Sequence, residues 1–278
     1  MTDRSLDRSI TVTDGVLAVA VTELATVDPD LAGIVDRYGL PPLWARPAGF
    51  ATLTFIILEQ QVSLASARAA FERLATATGE LTPERFMRLD DGELLAVGFS
   101  RQKTRYVRGL AGAMIAGEID LDRLGELDDD AARDVLVGLT GIGPWTADIY
   151  LLLALGRPDI WPATDLALVS ALHHVKRLAR RPTTDEVTDL AEPWRPWRAV
   201  AARLLWHDYL SRRASATAVR SCSAPTGDSP RTGGPAALSD IGSTDVLGLG
   251  HAWPNTRNHD PGRPSGVPSR ESIGSTDE

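Results

Sequence analysis

The sequence predicts an all-α fold on three observations. Between residues 48 and 212 apolar side chains recur at i, i+3, i+4 and i+7. Capping residues or prolines open these segments and glycines close them. No run alternates apolar with polar residues over the length of a strand. In chain order, "FATLTFIILEQQVSLASARAAFERLATATG" (50–79) reads as one long helical stretch or two, ending at Gly79. "TPERFMRL" then offers Thr82 as an N-cap with Pro83 in the first turn. Ser100 caps the next helix, in which Val107, Leu110, Ala111, Met114 and Ile115 follow the i, i+3, i+4, i+7, i+8 pattern. "DDDAARDVLVGL" places acids at the start of another, where the helix dipole favours them. A Gly-Ile-Gly turn follows, Pro144 opens a helix to about Leu155, and further helices are expected at 166–179, 184–191 and 197–211.

Three regions follow from composition. Residues 1–47 form an N-terminal extension, partly helical through "DLAGIVDRYG" (30–39). Residues 48–213 form the helical domain. Beyond Arg213 the chain is rich in Ser, Gly, Pro, Thr and Asp and repeats "IGSTD" at 241–245 and 273–277. Such a segment buries too little surface to offset its ordering entropy, so 214–278 is expected to be a disordered tail holding Cys222 and Trp253.

The formal net charge of −8 argues against a broad basic coating that gathers nucleic acid by bulk charge, although a few aimed groups can still hold it. One cysteine excludes a disulfide framework, a four-cysteine zinc site and a four-cysteine iron–sulfur cluster. No apolar run reaches membrane-spanning length and the N-terminus has no signal-like core, so the expectation is a soluble intracellular protein without a membrane partner. Its basic residues are nearly all arginine; Lys103 and Lys176 are the only lysines.

The stretch "GLTGIGPWTADIYLLLALGRPDIWPATDLAL" (138–168) carries the chemistry. Glycines followed by an acid some twenty residues on suit a dinucleotide loop, but Thr146 stands where a third glycine belongs, and no strand precedes it. An ordinary glycine-capped turn between two helices fits as well. So does a helix-hairpin-helix, in which helices at about 131–138 and 144–155 flank the turn Leu139 to Gly143. There Gly141 and Gly143 leave backbone N–H groups uncovered, and with the positive helix end at Pro144 these can hold a DNA phosphate without a basic side chain.

"LTGIGPWTADIYLL" followed by "WPATDLAL" resembles the helix-hairpin-helix (HhH-GPD) DNA glycosylase superfamily, with its Gly/Pro-rich loop and closing aspartate. "FIILEQQVSLASARAAFERL" and "WRPWRAVAARLLWHDY" resemble the minor-groove helix and the C-terminal helix of its alkylbase (3-methyladenine) branch. Order and spacing match over residues 48–210. The resemblance implies a two-lobed helical enzyme of base-excision repair that flips an alkylated purine out of double-stranded DNA and hydrolyses its N-glycosyl bond. It would need no cofactor, and would work as a monomer in the cytoplasm on the nucleoid.

Residue by residue, Asp165 matches the catalytic aspartate, while its place after Pro162 also suits a helix N-cap. Trp145 and Trp206 match aromatic positions of the base pocket, where an indole face attracts a cationic base; either could equally fill a core. Trp145 also stands where strand-cutting members carry a Schiff-base lysine, which implies an enzyme without lyase activity. Gln60, Gln61 and Ser63 match the DNA-facing loop, with Gln61 as the wedge filling the gap left by the flipped nucleotide. Gly141, Ile142, Gly143 and Thr146 match the phosphate-holding hairpin, and the carbonyls of Val137, Leu139 and Ile142 match a site for Na+ or K+. Ile149 departs from the pattern, standing where a third pocket aromatic is expected. Residues 1–47 are too few for the β-rich domain of longer bacterial members. Two alternatives stay open: a mismatch, uracil or hypoxanthine glycosylase, which would share Asp165, and a non-catalytic DNA-binding module, which would need no pocket. His173 and His174 face different ways on a helix and receive no role.

Overall fold

The computed structural model describes residues 10–222, and no strand occurs among them. The twelve α-helices found there fall into two lobes. The terminal lobe holds α1 (Asp14–Val27), α2 (Pro29–Tyr38), α10 (Leu166–Val175), α11 (Thr184–Ala191) and α12 (Arg198–Cys222). The central lobe holds α3 (Phe50–Glu59), α4 (Leu64–Thr78), α5 (Pro83–Arg88), α6 (Asp91–Ala96), α7 (Arg101–Ile115), α8 (Asp129–Val137) and α9 (Pro144–Leu153). Helices within each lobe pack mainly on one another, α10 and α2 against α12 in the first, α5 and α3 against α7 in the second.

Local chemistry accounts for the boundaries. Thr82, Ser100 and Thr183 cap α5, α7 and α11 through their hydroxyls, and Gly79 ends α4 at φ +71. The 50–79 stretch is two helices because Gln60 leaves the helical region at ψ 123, Gln61 follows in a left-handed conformation at φ +58, and Ser63 then caps α4 on the Ser66 N–H at 3.2 Å. Helix α10 ends before the expected residue 179 because Arg177 turns left-handed at φ +51. Helix α12 runs to Cys222, past the change in composition at Arg213, so residues 214–222 are helical rather than tail. The rest of the expected tail, Trp253 included, lies outside the described residues.

Residues 10–47, expected as a partly helical extension, are built into the terminal lobe. Leu17, Ala20, Val21 and Leu24 of α1 and Leu31 and Ile34 of α2 are buried. Asp28 caps α2 and also accepts from Lys176 Nζ at 2.6 Å and from Trp194 Nε1 at 2.8 Å. Burial pushes the Asp28 carboxyl up, yet these donors outweigh it and hold it below the ordinary carboxylate value.

The lobes are tied by Arg203, which is 1% exposed. It donates to the carbonyls of Leu43 (2.9 Å), Leu152 (2.9 Å) and Ala199 (3.0 Å). Burial pushes its guanidinium down to about 10. Within the central lobe, Tyr150 on α9 accepts the N–H of Gly49, which begins α3, at 2.8 Å. Between the lobes, α9 and the start of α10 face the end of α3 across one large cavity.

Candidate active site

The hairpin is assembled from short-range forces. Asp128 caps α8 on the Ala131 N–H at 2.8 Å. Arg133 on α8 donates to Asp148 on α9 at 2.7 Å, clamping the two helices, although burial keeps the Asp148 carboxyl above its ordinary value. Between the helices Ile142 N–H donates to the Leu139 carbonyl at 3.1 Å.

The two glycines of the turn do different things. Gly141 sits at φ +91 with the Tyr106 ring where a side chain would be, so that an added Cβ would fall 2.1 Å from that ring. Gly143 sits at φ −93, which any residue tolerates, and an added Cβ would meet nothing within 4 Å. It begins α9 without a side-chain cap, and Pro144 occupies the first turn. The glycine therefore leaves the helix start open toward the outside.

Two residues expected on the DNA face turn inward. Thr146 is 2% exposed, and its hydroxyl accepts from Gln60 Nε2 at 3.0 Å. The same amide nitrogen donates to the Gly141 carbonyl at 3.0 Å. Gln60 and Thr146 thus brace the hairpin from inside, because a buried hydroxyl and carbonyl need donors. The Ile142 side chain is buried and its N–H donates to the Leu139 carbonyl, which leaves its own carbonyl as the group it can offer at the hairpin. The Ser63 hydroxyl is engaged in capping α4. Gln61 by contrast is exposed at the tip of the α3–α4 loop, in the left-handed conformation that is uncommon for a residue with a Cβ.

Asp165 is both N-cap and cavity carboxylate. Its Oδ1 accepts from the Leu168 N–H at 2.8 Å and from Trp206 Nε1 at 3.0 Å. Its Oδ2 accepts from Trp145 Nε1 at 2.9 Å. Three donors from α9, α10 and α12 therefore fix its direction. Each indole edge is spent on the carboxylate. Trp206 is 6% exposed and packs edge-to-face on Trp44, centroids 6.4 Å apart.

The cavity has a volume of about 1420 Å³ and is bordered by Asp165, Trp145, Trp206, Gln61 and the hairpin, including Val137, Leu139 and Ile142. Ile149 lines it where an aromatic was expected; Tyr106 and Tyr209 supply aromatic surface instead. Two charged residues on its wall were missed from the sequence. Arg46 and Glu59 form a fork-on-fork pair, Nη1 to Oε2 at 3.1 Å and Nη2 to Oε1 at 2.7 Å. Their side chains are 6% and 8% exposed. A signal existed: a carboxylate at the C-terminal end of the otherwise uncharged "FATLTFIILE" stands where the helix dipole disfavours it.

Both lysines are committed elsewhere. Lys103 Nζ donates to the Leu58 carbonyl at 2.7 Å, with burial pushing it below its ordinary value, and Lys176 is held by Asp28 and Asp30. His173 and His174 lie at the end of α10, away from the residues that border the cavity. Among the described residues no three His, Cys, Asp or Glu side chains gather as a metal site, and no helix is long and apolar enough to cross a membrane.

A two-lobed helical body with a glycine hairpin facing a capped aspartate defines a class, and the comparisons agree. Residues 55–196 match the model of the HhH-GPD superfamily base excision DNA repair protein. The chain belongs to that superfamily. It is 29% identical over 197 residues to a DNA-3-methyladenine glycosylase of Bacillus subtilis, covering 66% of this chain and 65% of that one. It is 32% identical over 180 residues to DNA-3-methyladenine glycosylase 1 of Schizosaccharomyces pombe, covering 63% of this chain and 79% of that protein. A solved 3-methyladenine DNA glycosylase of that yeast, in complex with abasic DNA, superposes with a TM-score of 0.63 at 28% identity, over 68% of this chain and 95% of that one. The chain thus spans just under two thirds of the length of its Bacillus relative.

Proposed function

We propose that the protein is a DNA N-glycosylase of base-excision repair that flips alkylated purines from double-stranded DNA and hydrolyses their N-glycosyl bond, leaving an abasic site. The observation that carries the proposal is Asp165, held by three N–H donors at the edge of a cavity of about 1420 Å³ that has indole and phenol walls and is ample for a flipped nucleotide. Positive charge develops at the anomeric carbon as the glycosyl bond breaks, and an oriented carboxylate stabilises it and positions or deprotonates the attacking water. A preset carboxylate needs no reorganisation during that step, which is where its effect on rate arises. A non-catalytic module would need the hairpin but neither the cavity nor this orientation. Relatives named for 3-methyladenine favour alkylated purines over the mismatch alternative.

DNA is held, in this proposal, by the open start of α9. Gly143 needs no special φ and nothing in the protein fills its Cβ position, which suits a phosphate approaching the uncovered N–H groups. Exposed Gln61 wedges into the duplex, and its left-handed backbone is the kind of local strain that accompanies function. A monovalent cation at the carbonyls of Val137, Leu139 and Ile142 would add to the same phosphate contact. With Trp at 145 and both lysines committed, attack is by water, with no lyase step. The protein would act as a monomer where the chromosome lies. Incubation with methylated duplex DNA tests the proposal: free 3-methyladenine should appear, with strand breaks only after alkali. Intact DNA that binds but loses no base would sink it.

A further inference from the structure

Arg46 and Glu59 are unexplained by the reaction as just described. A buried ion pair contributes little net stability, because desolvating both charges offsets their attraction, and apolar residues of similar size often serve better. This pair nevertheless lies on the wall of the cavity that Asp165 borders.

The backbone that delivers Arg46 is also held out of its easy conformation. Trp44, two residues earlier, has φ +52, rare for a bulky side chain, and only surrounding contacts keep it there. Arg203 holds the Leu43 carbonyl, the Arg46 N–H donates to the Leu153 carbonyl at 2.9 Å, and Trp44 packs on Trp206. Phe55 lies against the guanidinium, 4.7 Å from ring centroid to the central carbon. Strain of this kind, fixed from several sides beside a cavity, points to a task for the side chain.

We infer that the Arg46–Glu59 pair is the specificity-determining element of the pocket, reading the Watson–Crick edge of the flipped purine. The inference rests on the glycosylase reading and names the class of lesion it takes. The fork leaves donor capacity on Arg46 and acceptor capacity on Glu59, since two of five N–H groups and two of about four lone pairs are used. A purine edge with a neighbouring donor and acceptor complements both. In 3-methyladenine these are the 6-amino group and N1; in 7-methylguanine they are N1–H and O6. Because the pair is neutral overall, it accepts a cationic base without repelling it. Lesions that block the edge, by a methyl on N1 or a bridge from N1 to the amino group, leave buried polar groups unmatched and are rejected.

The test compares DNA duplexes carrying 7-methylguanine or 1,7-dimethylguanine, two cationic bases that differ by the N1 methyl. That methyl also disrupts pairing and so eases flipping, so preference for the intact edge must come from the pocket. With wild-type protein, single-turnover release of 7-methylguanine should be faster by on the order of ten-thousandfold, as expected of a site that hydrogen-bonds its substrate. The double variant Arg46→Leu/Glu59→Leu leaves no charge unpaired, and its ratio should shrink to about two-hundredfold or less, as in an apolar pocket sorting by size. Equal rates with the wild type overturn the inference while leaving the glycosylase reading intact. A ratio that survives in a folded double variant overturns it too. Release of neither base by a wild-type protein that frees 3-methyladenine from methylated duplex DNA overturns this inference alone, and release of none of the three overturns the glycosylase reading with it. If the double variant does not fold, the wild-type ratio decides alone.

Discussion

Asp165→Asn is usually chosen as a silent isostere, and here it should not be silent. The amide can keep its oxygen at the Oδ1 position, still accepting from Leu168 N–H (2.8 Å) and Trp206 Nε1 (3.0 Å). Its nitrogen then replaces Oδ2 and faces Trp145 Nε1–H, 2.9 Å away in the native protein, so two donors oppose each other. Trp145 is only half-buried and water can relieve part of the conflict, which puts the cost at about 1 kcal/mol, or a Tm lower by about 2–4 °C. Loss of the charge acts separately. Removing preorganised electrostatic stabilisation typically costs about 2.7–4 kcal/mol, so single-turnover base release should fall by about two to three orders of magnitude. The double variant Asp165→Asn/Trp145→Phe removes the opposing donor. It should regain most of the lost Tm and none of the lost rate. Thermal melts, single-turnover kinetics and binding to abasic DNA on the three proteins separate the two effects. Near-normal turnover in Asp165→Asn, or recovery of rate alongside Tm in the double variant, would refute the catalytic assignment.

The two hairpin glycines should respond in opposite ways. Gly141→Ala meets both a φ of +91 and the Tyr106 ring, and should lower Tm markedly; Gly143→Ala should leave Tm within about 1 °C yet weaken binding to abasic DNA severalfold, and equal effects in both assays would discard the division. Borohydride added during turnover should trap no protein–DNA adduct, because Lys103 and Lys176 are held at Leu58 and Asp28; a trapped complex would establish lyase chemistry. The Asp28 carboxyl is lowered in the folded state, so its stabilising contribution is complete above the ordinary value of 3.8 and is lost as pH falls through the lower folded value. Asp28→Asn should therefore cost about 2–3 kcal/mol at neutral pH, less than a full buried pair because Asp30 still holds Lys176, and the gap to wild type should close in acid melts.

Helices were legible in the sequence wherever a cap or a period marked them, which is why Thr82, Ser100 and Thr183 open helices as expected. Such signals are local, encoded within one turn. What escaped depends on partners distant in sequence. Gln60 looked like a surface glutamine because nothing near it says that Gly141 and Thr146 will bury beside it. Glu59 is marked by its place at a helix C-terminus, but its pairing with Arg46 escapes for the same reason, two charges 13 positions apart across a strained loop. Trp145 and Trp206 border the cavity beside Asp165; the sequence reads them as ring faces for a cation, and the fold shows that their N–H edges also orient Asp165. Residue type gives an indole both capacities, and only the fold decides which is spent. The consequence reaches the chemistry: Trp206→Leu removes a donor from the carboxylate along with an aromatic wall, so it should slow cationic and neutral lesions alike. Trp206→Phe keeps the wall and loses the donor. If the indole acts chiefly through Asp165, Phe and Leu should be slowed comparably, by up to about tenfold to a hundredfold for one charge-assisted hydrogen bond. If it acts chiefly as a face, Phe should stay close to wild type and Leu alone should lose its preference for cationic bases.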